Sequence, residues 1–168
     1  DAGGRWTAEN RAKRVVVDRS GFGPVGLILE VRGDFEYDGR MRADGEAWPH
    51  LLIEQGFKAP IALKDFKTLT FAMEARIPSC KPAPWSEGKL DPGRHTAQVS
   101  AFWTVHNVAK GSPDYQDMIW FGIPFFDARH AIPPAHHALD VGKDDATGKF
   151  ICLLDGKRFW KAPTGDGA

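Results

Sequence analysis

Residues His95 to Val108 read HTAQVSAFWTVHNV, and this stretch decides the fold class. Ala97, Val99, Ala101, Trp103 and Val105 fall on one side of an extended chain. Gln98, Thr104 and His106 fall on the other. A period of two is the mark of a β-strand with one buried face. The segment Lys67 to Ile77 alternates in the same way. There Leu69, Phe71, Met73, Ala75 and Ile77 oppose Thr68, Thr70, Glu74 and Arg76. Read as a helix, its apolar residues would scatter around the axis.

Further short apolar runs lie on either side of these two. Strands are expected at Arg14 to Asp18, Val25 to Arg32, Trp48 to Gln55, Asp114 to Ile123 and Phe150 to Leu154. A hairpin is expected around Asp38-Gly39, joining Phe35–Tyr37 to Arg40–Arg42. A last strand is expected at Arg158 to Trp160. The 18 glycines and 12 prolines punctuate these runs as turns. Ala8 to Lys13 and Ala135 to Leu139 read as short helical turns. The expectation is an all-β chain, a two-sheet antiparallel β-sandwich of the jelly-roll kind. At 168 residues it fits one domain. It would also fit a module of a longer protein.

Composition removes several function classes. Lys plus Arg and Asp plus Glu number 22 each. No basic stripe favours nucleic acid or a membrane surface. No apolar run approaches the roughly 20 residues that span a bilayer. The first residue is Asp1, which fits a removed leader and a secreted or periplasmic protein, although a trimmed sequence would look the same. Cys80 and Cys152 permit one disulfide, and two free thiols fit equally.

The outward-facing residues suggest a ligand. Trp48, His50 and Glu54 share one side of their run, as do Glu74 and Arg76. Gln98, Thr104 and His106 share another, and so do Gln116, Met118 and Trp120. Indole rings stack on pyranose faces, while carboxylates, amides and guanidinium groups bond hydroxyls. The expected ligand is therefore a polysaccharide or oligosaccharide, bound through an aromatic and polar sheet face. The plainer alternative is a solvated face with the Trp residues packed inside.

Several chemistries follow. Glu54 and Glu74, assisted by His106, are the pair a glycoside hydrolase would use. Arg76, His106 and Tyr115 are the parts a polysaccharide lyase would need. Asp117 falls in an apolar run, where a carboxylate would be partly desolvated. His130, His136 and His137 with Asp140 could meet a metal only in a bent loop, and no metal motif is present. Asp140, Asp144 and Asp145 are oxygen ligands for a structural calcium, although Gly142 and Lys143 interrupt the usual loop. No cofactor is expected otherwise. A third alternative is a structural or interaction module of an extracellular protein.

The run Tyr115-Gln-Asp-Met-Ile-Trp120 resembles a strand of the family 12 glycoside hydrolases. Those are concanavalin A-like jelly rolls acting on β-glucans. The resemblance implies a jelly roll and a glycan ligand. In that family the residue after the tyrosine is the nucleophile. Here it is Gln116, which cannot attack an anomeric carbon. The resemblance therefore favours binding over hydrolysis.

Overall fold

Three β-branched residues in a row, Val15 to Val17, form the middle of the first sheet. The structure, a computed structural model, describes residues 4–19, 26–59, 61–71, 73–142 and 146–159. Within them the chain divides into two compact units. One comprises Asp1–Arg40 with Trp48–Pro78, the other Met41–Ala47 with Ser79–Ala168.

The first unit holds an antiparallel meander of β1 (Arg5–Glu9), β2 (Lys13–Asp18) and β3 (Gly26–Val31). Asn10 closes the first hairpin. Its side-chain oxygen accepts from the amides of Ala12 and Lys13 at 2.9 and 2.7 Å, the local bonding that places Asn in turns. On one face, Arg14 and Glu30 stand directly opposite and pair at 2.9 Å. Val16, 1% exposed, is buried on that side. The register puts Trp6, Val15, Val17, Leu27, Leu29 and Val31 on the other face.

A one-turn helix, α1 (Gly33–Glu36), follows. Lys13 Nζ holds Glu36 at 2.7 Å. Asp38 and Gly39 both take positive φ, as the turn signal predicts. They end α1 rather than join two strands: the Gly39 amide donates to Asp34 C=O at 2.9 Å, the six-to-one bond of a helix stop. The hairpin expected there is corrected accordingly.

The second unit carries a four-stranded sheet in the order β4 (Gln98–His106), β5 (Met118–Asp127), β7 (Phe150–Leu153), β6 (His136–Leu139). β4 and β5 are antiparallel, β5 and β7 parallel, β6 and β7 antiparallel. The β4–β5 register shifts between Val99 and Ser100, where Ser100 meets Pro124 and Phe125 is left over. Proline has no amide to donate, so a bulge is where a strand tolerates one. Gly122 lies opposite Phe102, whose ring fills the space a side chain would take: a Cβ there would sit 2.5 Å from Phe102 Cδ1.

All-β architecture is therefore present, as two sheets with almost no helix. β2, β3, β4 and β7 form close to the limits expected for the runs at Arg14, Val25, His95 and Phe150, with Val25 itself outside the described residues. Several expectations are corrected. Residues 48–55 and 67–77 belong to no strand, among the described residues. Their alternation defines two faces but supplies no neighbour for the backbone, and a strand exists only through that ladder. Ala8 and Glu9 extend β1 instead of starting a helical turn, because β2 pairs with them. His136–Leu139 is strand, not helix, because β7 pairs with it. Lys157 and Arg158 sit in a 3-10 turn, Gly156–Arg158, rather than a strand, and Trp160 lies outside the described residues. No helix of the described residues is long and apolar enough to cross a membrane. Cys80 is exposed and Cys152 half-buried, and both are free thiols.

Candidate functional site

Cross-strand register assembles one face of the four-stranded sheet. Thr104 stands directly opposite Trp120, and His106 opposite Met118, the next pair on that face. Thr104 and His106 are exposed, and Trp120 is half-exposed between them and Phe102. The Phe102 and Trp120 rings meet edge-to-face, 5.5 Å apart at 71°. That contact fixes the indole plane. Gly122 makes it possible, since any larger residue would expel the Phe102 ring. The Trp120 Nε1–H is buried and meets no acceptor among the described residues.

Of the residues expected to share a ligand face, His106 and Trp120 are thus neighbours. Gln98 lies on β4 beyond the bulge and points elsewhere, its amide donating to Asp127 at 2.8 Å. Gln116 is outside β5, at φ 73°, with its amide on Asn107 C=O at 2.8 Å. The Asn107 amide in turn reaches Asp117 C=O. Two residues opposing one is a bulge whose first position favours glycine. This kink breaks the alternation assumed for Gln116, Met118 and Trp120. Asp117 is exposed in the same turn, so the desolvation expected for it is absent. Left-handed backbone costs a non-glycine residue about 1–2 kcal/mol. Gln116→Gly should recover part of that and raise the unfolding free energy by about 0.5–1 kcal/mol in a urea titration, net of the added chain entropy.

The other expected residues belong to the first unit. Trp48 is half-buried; His50, Glu54, Glu74 and Arg76 are exposed, in segments outside any strand. Among the described residues, no group of three or more His, Cys, Asp or Glu is placed to hold a metal ion. Asp140 instead closes the β6–β7 hairpin, its Oδ2 accepting from the Thr147 amide and hydroxyl, both at 2.9 Å. Asp144 and Asp145 lie outside the described residues.

A tightly bonded cluster centres on Asp127, a residue that the sequence pattern does not single out. Asp127, 5% exposed at the end of β5, takes a forked bond from Arg129: Nε to Oδ1 at 2.9 Å and Nη2 to Oδ2 at 2.6 Å. The Arg129 amide adds 3.0 Å to Oδ1, the Gln98 amide donates to Oδ2 at 2.8 Å, and the Thr96 hydroxyl donates to Oδ1 at 3.4 Å. The guanidinium bonds hold the Asp127 carboxyl far below the usual carboxylate range, against the opposing effect of burial. Beside it lies a cavity of about 260 Å³ lined by Leu90, Pro92, His95, Thr96, Ala128 and Arg129. His95 is fully engaged on its wall: Nδ1 accepts from the Asp91 amide at 2.9 Å, and Nε2 lies 3.0 Å from Arg42 C=O. That pattern assigns the proton to Nε2. Arg42, 8% exposed, also donates to the carbonyls of Glu46 and Ala47. The signal for Asp127 was present, an acid ending an apolar strand two residues before an arginine, but nothing in the chain order brings Gln98 to it.

Comparison with known protein families, curated proteins and solved structures returns no match to this chain.

Proposed function

We propose that this chain is a non-catalytic polysaccharide-binding β domain, with its ligand on the β4–β5 face. One observation carries the reading: the register sets a half-exposed indole directly beside an exposed hydroxyl, Thr104, with an exposed imidazole, His106, one pair further along. A pyranose stacks its apolar face on such a ring, and its hydroxyls bond flanking donors and acceptors. The edge-to-face contact with Phe102 holds the ring in place before a ligand arrives, which lowers the ordering cost of binding.

The jelly-roll arrangement belongs to the same proposal. So does the extracytoplasmic setting that polysaccharide binding implies. Binding is preferred over hydrolysis because Gln116 has no nucleophilic character and Glu54 and Glu74 are open to solvent.

Affinity electrophoresis through gels cast with plant, algal or bacterial polysaccharides tests the reading. At least one polymer should retard the wild-type chain. The exposed-residue variant Thr104→Ala/His106→Ala should migrate several-fold closer to the unretarded position. Unchanged mobility of the wild type in every gel contradicts the proposal, and so does retardation by a neutral polymer that the double variant leaves intact.

A further inference from the structure

We infer a second saccharide site, specific for acidic sugars, at the Arg5 and Asp18 end of the three-stranded sheet. A cavity of about 470 Å³ lies there, lined by Gly4, Arg5, Trp6, Val17 and Arg19. Trp6 and Val17 are a cross-strand pair, so the indole and the valine share one wall. Trp6 is 57% exposed, an unusual state for the largest apolar side chain on a paired strand. The Gly4 carbonyl accepts from the Arg19 amide, and this bond ties the two ends of the cavity together.

The charge is one-sided. Arg5 and Arg19 line the cavity, and among the described residues no acidic residue does. Neither Arg5 nor Arg19 makes an ion pair among the described residues, whereas Arg11, Arg14, Arg32, Arg94 and Arg129 all do. Asp18 stands opposite Arg5 in the register and offsets part of its charge. Arg19 is then the main anchor. A guanidinium presents a planar fork of donors that matches a carboxylate or sulfate. An exposed ring and a fork on one small cavity therefore suit a pyranose that carries an acidic group. A neutral sugar would leave the fork unused, and a small inorganic anion would leave the ring unused.

This inference rests on the saccharide reading above, and its test keeps the two apart. Wild type, Arg19→Ala, Trp6→Ala and the equal-charge control Lys58→Ala are run in gels containing polygalacturonate or neutral hydroxyethyl cellulose. Lys58 is exposed and lies outside the cavity. Polygalacturonate should retard the wild type and Lys58→Ala alike. Arg19→Ala and Trp6→Ala should each bind about tenfold more weakly, the loss expected for one charge-assisted bond or one stacking platform. Retardation in the neutral gel alone overturns the acidic site and leaves the β4–β5 reading standing. Equal loss in Lys58→Ala and Arg19→Ala also overturns it, since net charge would then explain the effect. No retardation by any polymer of either kind overturns both.

Discussion

Asp127→Ala should lower the unfolding free energy by about 3 kcal/mol, the low end of the cost of stranding one partner of a buried pair. Its carboxylate is 6% exposed and accepts from Arg129 and Gln98. Removing it leaves a guanidinium, a side-chain amide and a backbone amide without their acceptor. Arg129 is 34% exposed, and water can take up part of its charge, which is why the low end applies. In a thermal melt the loss corresponds to about 6–12 °C. Asp127→Asn keeps the shape and one acceptor oxygen, so it should cost less, about 2 kcal/mol.

The same residue sets a pH signature. Its folded-state carboxyl titrates far below the unfolded value of about 3.9, so the unfolded chain binds the extra proton. The contribution is therefore complete above about pH 4 and is lost as the pH falls further. Urea titrations of the wild type should show stability from this group level between pH 7 and 5, then declining below about pH 4. Asp127→Asn should lack that acid-side component. An identical acid slope in both proteins would remove Asp127 from the account of acid stability.

The second large effect is expected at Gly122. A Cβ there would lie 2.5 Å from Phe102 Cδ1 and 2.8 Å from the Ala101 carbonyl oxygen. The ring can move, but the carbonyl belongs to β4 and can shift only with the strand. Gly122→Ala should cost about 2–3 kcal/mol, in the upper range for overpacking. It should also disturb the Trp120 ring, since Phe102 sets that ring's orientation. The double-mutant cycle with Phe102→Ala separates the two clashes. Phe102→Ala should relieve part of the penalty, and the carbonyl contact should retain the rest. Simple additivity of the two single losses would mean that the ring does not lie over Gly122.

What could be read from the sequence, and what could not, follows from the range of the interactions. β4 is strongly alternating, and β2 and β7 are dense in apolar residues, so local pattern identified them. Residues 67–77 alternate as cleanly as β4 yet join no ladder among the described residues. Alternation describes one chain, whereas pairing depends on a second. β1 is the reverse case: Arg5–Glu9 has little strand character of its own and is made a strand by Val15–Val17 beside it. The parallel β5–β7 pair lies across the intervening β6, and no local signal announces it.

The candidate site divides in the same way. His106 and Trp120 could be placed on one face because both lie in regular strand. Gln116 could not, because a left-handed residue next to the strand breaks the count of two. Gln98 was expected to meet a ligand; the bulge at Val99 and Ser100 brings it to Asp127 instead. Asp127 itself is significant only through partners at 98 and 129.

The β4–β5 ligand face is tested most directly by an NMR titration of the labelled chain with oligosaccharides cut from any polymer that retards it. Saturable shifts should concentrate on the Thr104 and His106 amides and the Trp120 indole N–H, with Asp127 and Arg129 unmoved. Saturable shifts confined to other residues, with Thr104, His106 and Trp120 stationary, would contradict the account.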